Sequence, residues 1–368
     1  MDSGLGQTIE LPAYSLRASA GVTPLTAAIG ILSLGQIADL KALSIGSVEE
    51  LFGLIGSDPK TLSTYLRVPS LVELQADLAP RSSQFLDLVA ARPVPPKALG
   101  ALPPPEVELF AEAPDFRHDK DATRPPTAFP VPRVGPPKLL PGVMNAIRSQ
   151  GQRGTCVAFA VTAALEYTLR ESLGTPIDLS EQFLYWAAKQ ADGAPDRPGT
   201  LIKVAVGCLA ATGQALEELW PYNPTPMAGN ESQRPAPGDA IQDASNRKAD
   251  GALLDARNVS AIVAEVDAGR PVPLTVPVYP NWIDNDALDE YGFFPLPLAT
   301  SRIKGGHAMC VVGYGADADT PGGGYFVMRN SWSDQWALQS PVGPGLGILP
   351  FAYVERLAWE ACALGRPT

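Results

Sequence analysis

Hydrophobic residues recur at helical spacing between residues 23 and 91, where leucine and alanine predominate. The run SVEELFGLIG opens with a capping-box pattern at Ser47 and Glu50, and an Asp-Pro pair before KTLSTYLR is typical of another helix start. These signals predict several short helices packed as a small bundle. We expect an all-α N-terminal domain over residues 1–92, with a docking or regulatory role.

Residues 93–142 break this pattern because they contain 14 prolines. Proline has no N–H group and is excluded from helix interiors and central strands. The composition predicts an extended proline-rich linker, in part polyproline II. His118, one of only two histidines in the chain, falls within it.

Beyond the linker the pattern changes from helical runs to β-rich runs. The segment CVAFAVTAALEYTLRES (156–172) is apolar over several turns and predicts a buried helix. LSEQFLYWAAK, capped by Ser180, and residues 200–212 predict two more helices. The runs PVPLTVPVY, HAMCVVGYG and GYFVMRNSW then predict strands. Helices followed by strands are typical of the α+β class, here over residues 143–368.

A chain of 368 residues that is 45% hydrophobic and 18% charged can bury a substantial core. Its apolar runs are interrupted well before the roughly 20 residues that span a bilayer. The N-terminus carries neither the basic stretch nor the apolar stretch of a secretory signal. We therefore expect a cytoplasmic protein with no membrane partner.

The net charge of −11 speaks against a nucleic-acid partner. Basic and acidic residues number 6 and 9 in residues 1–92, 6 and 6 in 93–142, and 16 and 24 in 143–368, so no region is basic. Nucleic acids and anionic membranes bind basic faces. The stretch LKALSIGSVEELFGL resembles a helix-hairpin-helix unit, a type that often binds DNA, but its acidic surroundings favour packing or protein contact.

Four cysteines (Cys156, Cys208, Cys310 and Cys362) are too few for a disulfide scaffold in a chain of this length. None belongs to a CxxC pair, so neither a zinc site nor thioredoxin-like redox chemistry is indicated. The acidic run NDALDEYG lacks the spacing of a calcium loop and predicts a solvated turn. We expect reduced thiols, no metal and no cofactor.

Cys156 directly follows the glycine-containing turn QGQRGT and opens the predicted buried helix. Free N–H groups and the helix dipole stabilise an anion there, which lowers the pKa of a thiol. A cysteine alone is more often a core residue, but three further residues point to nucleophilic catalysis. Gln150 can donate to an oxyanion, His307 in GGHAMCVVGYG can pair with the thiol, and Asn330 in RNSW can orient the imidazole.

The order Gln, Cys, His, Asn in these contexts resembles the papain-like cysteine peptidases over about residues 141–358. Further matches are LSEQFLYWA, a Pro-Gly-Thr segment, WPY, GRPVPLTVPVY and GLGILPFAYV. The resemblance implies a papain-like two-domain fold, with a mostly helical L half and an R half built on an antiparallel sheet or barrel.

The resemblance also assigns roles. It makes Cys156 the nucleophile, His307 the general base and acid, and Asn330 the orienting residue, while Gln150 and the Cys156 N–H form the oxyanion hole. The residues expected along the substrate are Gly199, Thr200, Gly305, Gly306 and Trp332.

Several positions depart from the family's pattern. The family usually has Trp after the nucleophile and Cys three residues before it; here these are Val157 and Arg153, so the disulfide that normally braces this loop cannot form. The motif NSWGxxWG reads NSWSDQWA, with Ser333 and Ala337 in place of glycines. These changes bear on loop geometry more than on chemistry, because the four catalytic positions are filled.

Together these residues predict a cysteine endopeptidase that forms a thioester between Cys156 and a peptide or protein substrate. Two alternatives stay open: a papain-like peptide-binding module without turnover, and an acyl or peptide transferase that uses the same thioester. The acidic residues Glu166 and Glu181 are expected to make structural hydrogen bonds rather than to serve as acid and base.

The N-terminal helical domain and the linker allow two interpretations. Members of the family commonly carry an N-terminal propeptide that crosses the cleft in the non-productive direction, but residues 1–92 lack its interlaced helix pattern. Either the linker blocks the cleft through its apolar patches VELF (107–110) and AFPVP (128–132), or it is a tether and the helical domain docks to a partner or assembly. We expect the tether, because proline-rich segments resist a regular strand.

Overall fold

The computed structural model describes residues 15–90, 97–105, 112–118, 136–141 and 144–367. The short helices expected at the front of the chain are present in the first of these ranges. They are α1 (Leu16–Ser19), α2 (Leu34–Ala42), α3 (Val48–Ser57), α4 (Pro59–Leu66), α5 (Leu71–Leu78) and α6 (Ser83–Ala90). Ser47 caps α3 as expected, but the Glu50 carboxylate binds Arg17 and the N–H of Gly46 instead of completing the capping box.

The rest of the described chain forms one α+β body, as the sequence predicts. Its helices are α7 (Cys156–Leu173), α8 (Glu181–Ala191), α9 (Ile202–Ala211), α10 (Gly238–Ala244), α11 (Val259–Asp267), α12 (Asp286–Tyr291) and α13 (Phe351–Leu357). Its strands are β1 (Lys138–Leu139), β2 (Ala249–Leu254), β3 (Val272–Val278), β4 (Gly305–Ala316), β5 (Gly324–Arg329), β6 (Leu346–Pro350) and β7 (Glu360–Pro367). None of the helices in the described ranges combines the length and apolarity needed to cross a membrane.

The seven strands make a single antiparallel sheet in the order β2-β7-β3-β4-β5-β6, with β1 paired to β4 off this path. The register sets Val276 of β3 opposite His307 of β4, and Cys310 of β4 opposite Arg329 of β5. Side chains alternate between the two faces of a strand. The pairing therefore fixes the face to which His307 points.

Helix α7 is the long apolar helix that the sequence predicts, and it packs on β4, β7 and β3. All of its residues from Cys156 to Tyr167 are buried. It ends at Gly174, whose φ of 73° is in the left-handed region that favours glycine. This packing brings the start of the helix against the strand that carries His307.

The N-terminal helices pack directly on this body and share its hydrophobic core. Helix α3 is buried along most of its length and lies against α12. At the contact, Gly53 faces Asn285, and the Leu296 N–H donates to the carbonyl of Leu43. Among the described residues, the helices expected as an N-terminal domain thus pack on the rest of the chain.

The acidic run NDALDEYG, expected as a solvated turn, is a helix instead. Asn285 caps α12 by accepting the N–H of Leu288, and Asp289 and Glu290 are buried. The prediction was wrong because three carboxylates in six residues suggest solvent. Asp289 is instead paired with a lysine from a distant part of the chain, described below.

The described parts of the proline-rich linker also lie on the body. Ala113 exchanges backbone hydrogen bonds with residues 300 and 301, Phe116 is buried, and β1 pairs with β4. The patches VELF and AFPVP lie outside the described residues.

Two alanine substitutions in α3 test how it docks. Alanine is normally better than glycine in a helix by roughly 0.5–1 kcal/mol. At Gly53, however, an added Cβ would lie 2.0 Å from Asn285 Oδ1, the cap of α12, whereas at Gly56 the nearest atom would be 3.7 Å away. We expect Gly53→Ala to lower the free energy of unfolding by about 1–3 kcal/mol, and Gly56→Ala to raise it slightly. Urea denaturation followed by circular dichroism measures both; equal effects of the two changes would contradict this docking.

Candidate active site

Cys156 and His307 are brought together where the start of α7 meets β4. Both side chains are fully buried, at 0% exposure. Cys156 is the first residue of the helix, and the backbone N–H of Ala308, next to His307 in the strand, lies close enough to act on its sulfur. The two residues that the sequence assigns as nucleophile and base thus share one site.

Asn330 follows the last residue of β5 and holds the His307 ring. The distance between His307 Nε2 and Asn330 Oδ1 is 2.8 Å. The same oxygen accepts the Ser331 N–H at 2.8 Å, so it acts as an acceptor and the Nε2–H of the ring donates to it. Nδ1 then carries the lone pair, and it has no hydrogen-bond partner in the structure. That nitrogen is available to take a proton from a thiol.

Trp332 covers this pair. Its indole stacks on the His307 ring with a centroid distance of 4.5 Å and an interplanar angle of 22°. Trp336 packs edge-on against Trp332 at 5.4 Å. The stack removes water from the bond between His307 and Asn330, which strengthens it.

The Gln150 amide is oriented by contacts on both ends. Its Oε1 accepts the hydroxyl of Ser331 at 2.6 Å, and its Nε2 donates to the carbonyl of Arg153 at 2.8 Å. Nε2 also donates to the carbonyl of Ala98 at 3.1 Å. The donor expected to bind a substrate oxyanion is therefore occupied by a carbonyl of this chain.

Residues 97–102, here called the blocking segment, lie in the cleft between the helical half and the sheet. The N–H groups of Gly100 and Ala101 donate to the carbonyl of Gly306 at 3.0 and 3.1 Å. Leu99 packs against Gly305. The segment thus covers the sheet side of the site.

On the helical side the segment pairs with the stretch expected to hold substrate. The Thr200 N–H donates to the carbonyl of Gly100, and the Leu102 N–H donates to the carbonyl of Thr200, each at 3.0 Å. The approach is close at Gly199, where an added Cβ would lie 2.8 Å from the Gly100 carbonyl oxygen. All five residues expected along the substrate therefore lie beside the blocking segment or the imidazole.

The blocking segment runs from the Trp332 side of the cleft towards Thr200. Its first residue, Lys97, places its ammonium 5.7 Å from the centre of the Trp332 ring, and Ala101 pairs with Thr200 as parallel strands do. Lys97 is anchored by a buried ion pair of 2.6 Å with Asp289 and by a 3.0 Å bond to the carbonyl of Trp282. This pair explains why Asp289 can be buried in α12.

Burial changes the ionisation of both catalytic groups. It raises the pKa of the Cys156 thiol to about 11, although neighbouring backbone N–H groups oppose the rise. Burial likewise lowers the pKa of His307 to about 4, although the bond to Asn330 opposes the fall. Both shifts favour a neutral thiol and a neutral imidazole over an ion pair in the covered site.

Carboxylates surround Arg148, and two of them, Glu166 and Glu181, are buried. Its guanidinium lies 3.4 Å from Glu166, 3.0 Å from Glu181 and 3.2 Å from Glu217. Burial raises the pKa of Glu166 to about 7, and the carboxylate accepts the N–H of Leu179 at 2.9 Å. These contacts agree with the expected structural role of Glu166 and Glu181.

The loop after Asn330 keeps a glycine-like backbone without the glycines. Ser333 and Ala337 have φ angles of 79° and 53°, in the left-handed region that costs a residue with a side chain about 1–2 kcal/mol. The Ala337 N–H is held by the carbonyl of Asp289 at 2.7 Å. Ser333 and Ala337, which replace glycines of the family's motif, thus keep the left-handed backbone conformation of the loop at an energetic cost.

Sequence reasoning missed Lys97, Asp289 and Ser331. Lys97 stands in a proline-rich stretch with no periodic pattern, and its partner is far along the chain, so no local signal marks either one. Ser331 lies within the RNSW motif, where its contact with Gln150 could have been suspected. In the described ranges, no three His, Cys, Asp or Glu side chains are grouped as metal ligands would be.

The ionisation of His307 can be measured directly, because the chain has only two histidines and His118→Gln assigns the other. We expect the His307 imidazole to stay neutral from about pH 8 to pH 5 in nitrogen NMR shifts. Since its pKa is lowered here, the covered state is favoured above the usual histidine pKa of 6.5 and loses this advantage as the pH falls towards about 4. An imidazolium present at neutral pH would show instead that an ion pair forms under the segment.

The chain was compared with known proteins. Residues 140–340 match the family described as papain family cysteine protease. A thiol protease aleurain-like of Arabidopsis thaliana is 27% identical over 210 residues, which are 53% of this chain and 51% of that protein. Procathepsin L of Felis catus is 26% identical over 204 residues, 54% of this chain and 56% of that one. This chain thus spans about half the length of these curated relatives.

A solved structure gives the same fold. Xylellain, a cysteine protease from Xylella fastidiosa, superposes with a TM-score of 0.57 at 23% identity, covering 74% of this chain and 97% of that one. The papain-like two-domain fold is therefore confirmed, and all four cysteines are free in the structure. Since the family match spans more than half of its residues, the chain belongs to the papain family of cysteine proteases.

Proposed function

We propose that this chain is a cysteine endopeptidase in which Cys156 is the nucleophile, held in a covered state by the blocking segment. One observation carries the proposal: Cys156 opens a helix beside an imidazole whose Nε2 is fixed by Asn330 and whose Nδ1 has no hydrogen-bond partner among the described residues. A nucleophile next to a base that a third group orients is the arrangement that covalent catalysis needs.

The first step is exposure of the site. When the blocking segment leaves, water reaches Cys156 and His307, and the burial that separates their pKa values is relieved. The thiol proton then moves to His307 Nδ1, and the helix start stabilises the thiolate. Asn330 keeps the ring in place throughout, because its oxygen accepts the Nε2–H.

The thiolate then attacks the carbonyl carbon of the substrate. The resulting oxyanion is bound by the Cys156 N–H and by Gln150 Nε2, which gives up its bond to Ala98. His307 returns its proton to the leaving amine as the thioester forms. Water, deprotonated by His307, then releases the acyl group.

The substrate is proposed to lie extended along the groove that the blocking segment now fills. Gly199 and Thr200 pair with its backbone on one side, and Gly305 and Gly306 form the other wall. An added Cβ at Gly306 would lie 2.3 Å from the Trp359 ring, so this wall is small and apolar. We infer a preference for an apolar side chain next to the P1 residue.

The blocking segment supports a latent form over a passive tether. It binds both halves of the cleft by backbone hydrogen bonds, and the buried pair of Lys97 with Asp289 anchors it next to the helix on which α3 docks. The N-terminal helices therefore stabilise the covered state through α12. A partner that binds these helices would act on the same contact.

Two other activities remain to be separated from hydrolysis. A transferase would pass the acyl group from the thioester to an amine, and a binding module would not form the thioester at all. Product analysis with an added amine distinguishes them. The four free thiols agree with a site of action in a reducing compartment such as the cytoplasm.

The role of Cys156 is tested by substitution and labelling. We expect Cys156→Ala to lower kcat/KM on a peptide substrate by at least about a thousandfold, with the urea midpoint little changed. A peptidyl epoxide should modify Cys156 in the wild type. Cys208→Ala is the control and should retain both activity and labelling. Modification confined to Cys208, Cys310 or Cys362 would refute the assignment.

The role of the blocking segment is tested at Gly100. An added Cβ there would lie 2.1 Å from the carbonyl oxygen of Gly154, a backbone atom that cannot rotate away. We expect Gly100→Ala to displace the segment and to raise the rate of Cys156 labelling about tenfold or more. Gly207→Ala is the control, because an added Cβ there meets no atom within 4 Å.

If Gly100→Ala leaves the labelling rate and the cleavage rate of a short fluorogenic peptide at the wild-type values, the segment does not limit access. The latent form would then be abandoned, while the assignment of Cys156 would stand on its own test.

A further inference from the structure

Arg153 is a fully buried arginine at the position where the family usually has a disulfide cysteine. Its side chain has 0% exposure. A buried charge is costly unless its hydrogen bonds are supplied by the protein. The contacts that supply them show what this residue holds together.

The guanidinium ties the turn before Cys156 to a helix and to a distant loop. One terminal nitrogen, Nη1, donates to Gln182 Oε1 of α8 at 2.6 Å and to the carbonyl of Asn223 at 2.8 Å. The other, Nη2, donates to the carbonyl of Glu231 at 2.7 Å. A planar group with several donors can serve three acceptors in this way, which a single ammonium cannot do with the same geometry.

Two tyrosines flank the same guanidinium. Its central carbon lies 5.3 Å from the ring centre of Tyr185 and 5.2 Å from that of Tyr222. Both distances are within the range of cation–π attraction, which is stronger where water is excluded. Arg153 thus contacts both rings, and the Glu231 carboxylate also holds Tyr185 by accepting its hydroxyl at 3.1 Å.

Each tyrosine hydroxyl holds one wall of the site. Tyr222 donates to the carbonyl of Gln150 at 2.8 Å and contacts the Thr155 hydroxyl at 2.7 Å, so it fixes the turn on both sides of Arg153. Tyr185 accepts the N–H of Gly199 at 3.0 Å, and so fixes the stretch that pairs with the backbone in the cleft.

We propose that Arg153 is a positioning residue that sets the spacing between the nucleophile turn and the Gly199–Thr200 wall, in place of a covalent brace. This inference rests on the proposed function, since it concerns the same site. The link consists of hydrogen bonds and ring contacts, so reductant does not break it. It lets the turn stay ordered under the reducing conditions that keep the Cys156 thiol free.

The link from Arg153 to Gly199 can be measured without any enzymatic activity. Amide hydrogen exchange is followed residue by residue in the full chain for the wild type, Arg153→Met and Arg153→Lys. We expect the Gly199 N–H to exchange at least about tenfold faster in Arg153→Met, because Tyr185 loses the guanidinium on its ring and keeps only the Glu231 carboxylate. The Leu179 N–H, bound to Glu166, should keep its rate. Arg153→Lys keeps the charge and should lie between the two.

A matched control separates positioning from loss of stability. Arg17 is a partly buried arginine of the N-terminal helices, 13% exposed and paired with Glu50 at 2.8 Å. Arg17→Met should lower the urea midpoint as Arg153→Met does, yet leave the exchange of Gly199 unchanged relative to Leu179. If the two variants raise Gly199 exchange equally, Arg153 has only a structural role.

A second readout concerns the thiol. Iodoacetamide needs only a reachable Cys156, whereas a peptidyl epoxide must also pair with Thr200. In the Gly100→Ala background, we expect Arg153→Lys to lower the epoxide rate relative to the iodoacetamide rate by about tenfold. An unchanged ratio would overturn the proposal. Both rates are measured from stoichiometric labelling of Cys156, which needs no turnover. The outcome can therefore be read even if the protein hydrolyses no peptide.

Discussion

The antiparallel pairing of β4 between β3 and β5 is the constraint on which the site depends. It sets His307 opposite Val276 and ends β5 one residue before Asn330, so that the imidazole and the amide meet. A register slip of one residue would turn His307 to the other face of the sheet. Helix α7 packs on the same strand and brings Cys156 to it. Three residues from separate parts of the chain thus depend on one strand register.

The burial that holds the Cys156 thiol and the His307 imidazole in place also opposes their ionisation. A dyad of thiol and imidazole needs one proton transfer to become an ion pair, and a site without water opposes the charges that this creates. The blocking segment removes the water and occupies the oxyanion donor of Gln150 at once. In the proposed mechanism, the strands and α7 fix the geometry, and departure of the blocking segment then permits the charges to form.

The residues proposed as catalytic could be selected from sequence because each stands in a distinctive local context, such as a glycine turn before an apolar helix for Cys156. The covering of the site by the blocking segment could not be predicted from sequence. The blocking segment has no periodic pattern and is held by backbone groups, which sequence does not distinguish. The segment is anchored by the ion pair between Lys97 and Asp289. Asp289 belongs to an acidic run whose composition predicts exposure to solvent. In the sequence, Arg153 stands out only because the family usually has a cysteine at this position. Its contacts with Tyr185 and Tyr222 exist only after folding brings these residues together.

The energetics of the site rest on several buried polar contacts that are individually costly. Ser333 and Ala337 adopt left-handed backbone conformations. Arg153 and Lys97 carry buried positive charges. Burial lowers the pKa of His307. The partners of Arg153 lie on the helical half, and those of Lys97 and His307 lie on the sheet side. The two halves are joined at the site by the 2.6 Å hydrogen bond between Ser331 and Gln150.

The covalent intermediate is the most direct test of the account. Protein carrying Gly100→Ala is mixed with an activated peptide ester, quenched in acid within milliseconds to seconds, and analysed by intact and peptide mass spectrometry. We expect the mass of the acyl group on the peptide that contains Cys156, removed by hydroxylamine as a thioester is. Ester turnover with no acyl group on Cys156, or an acyl group on another cysteine, would contradict the proposed chemistry.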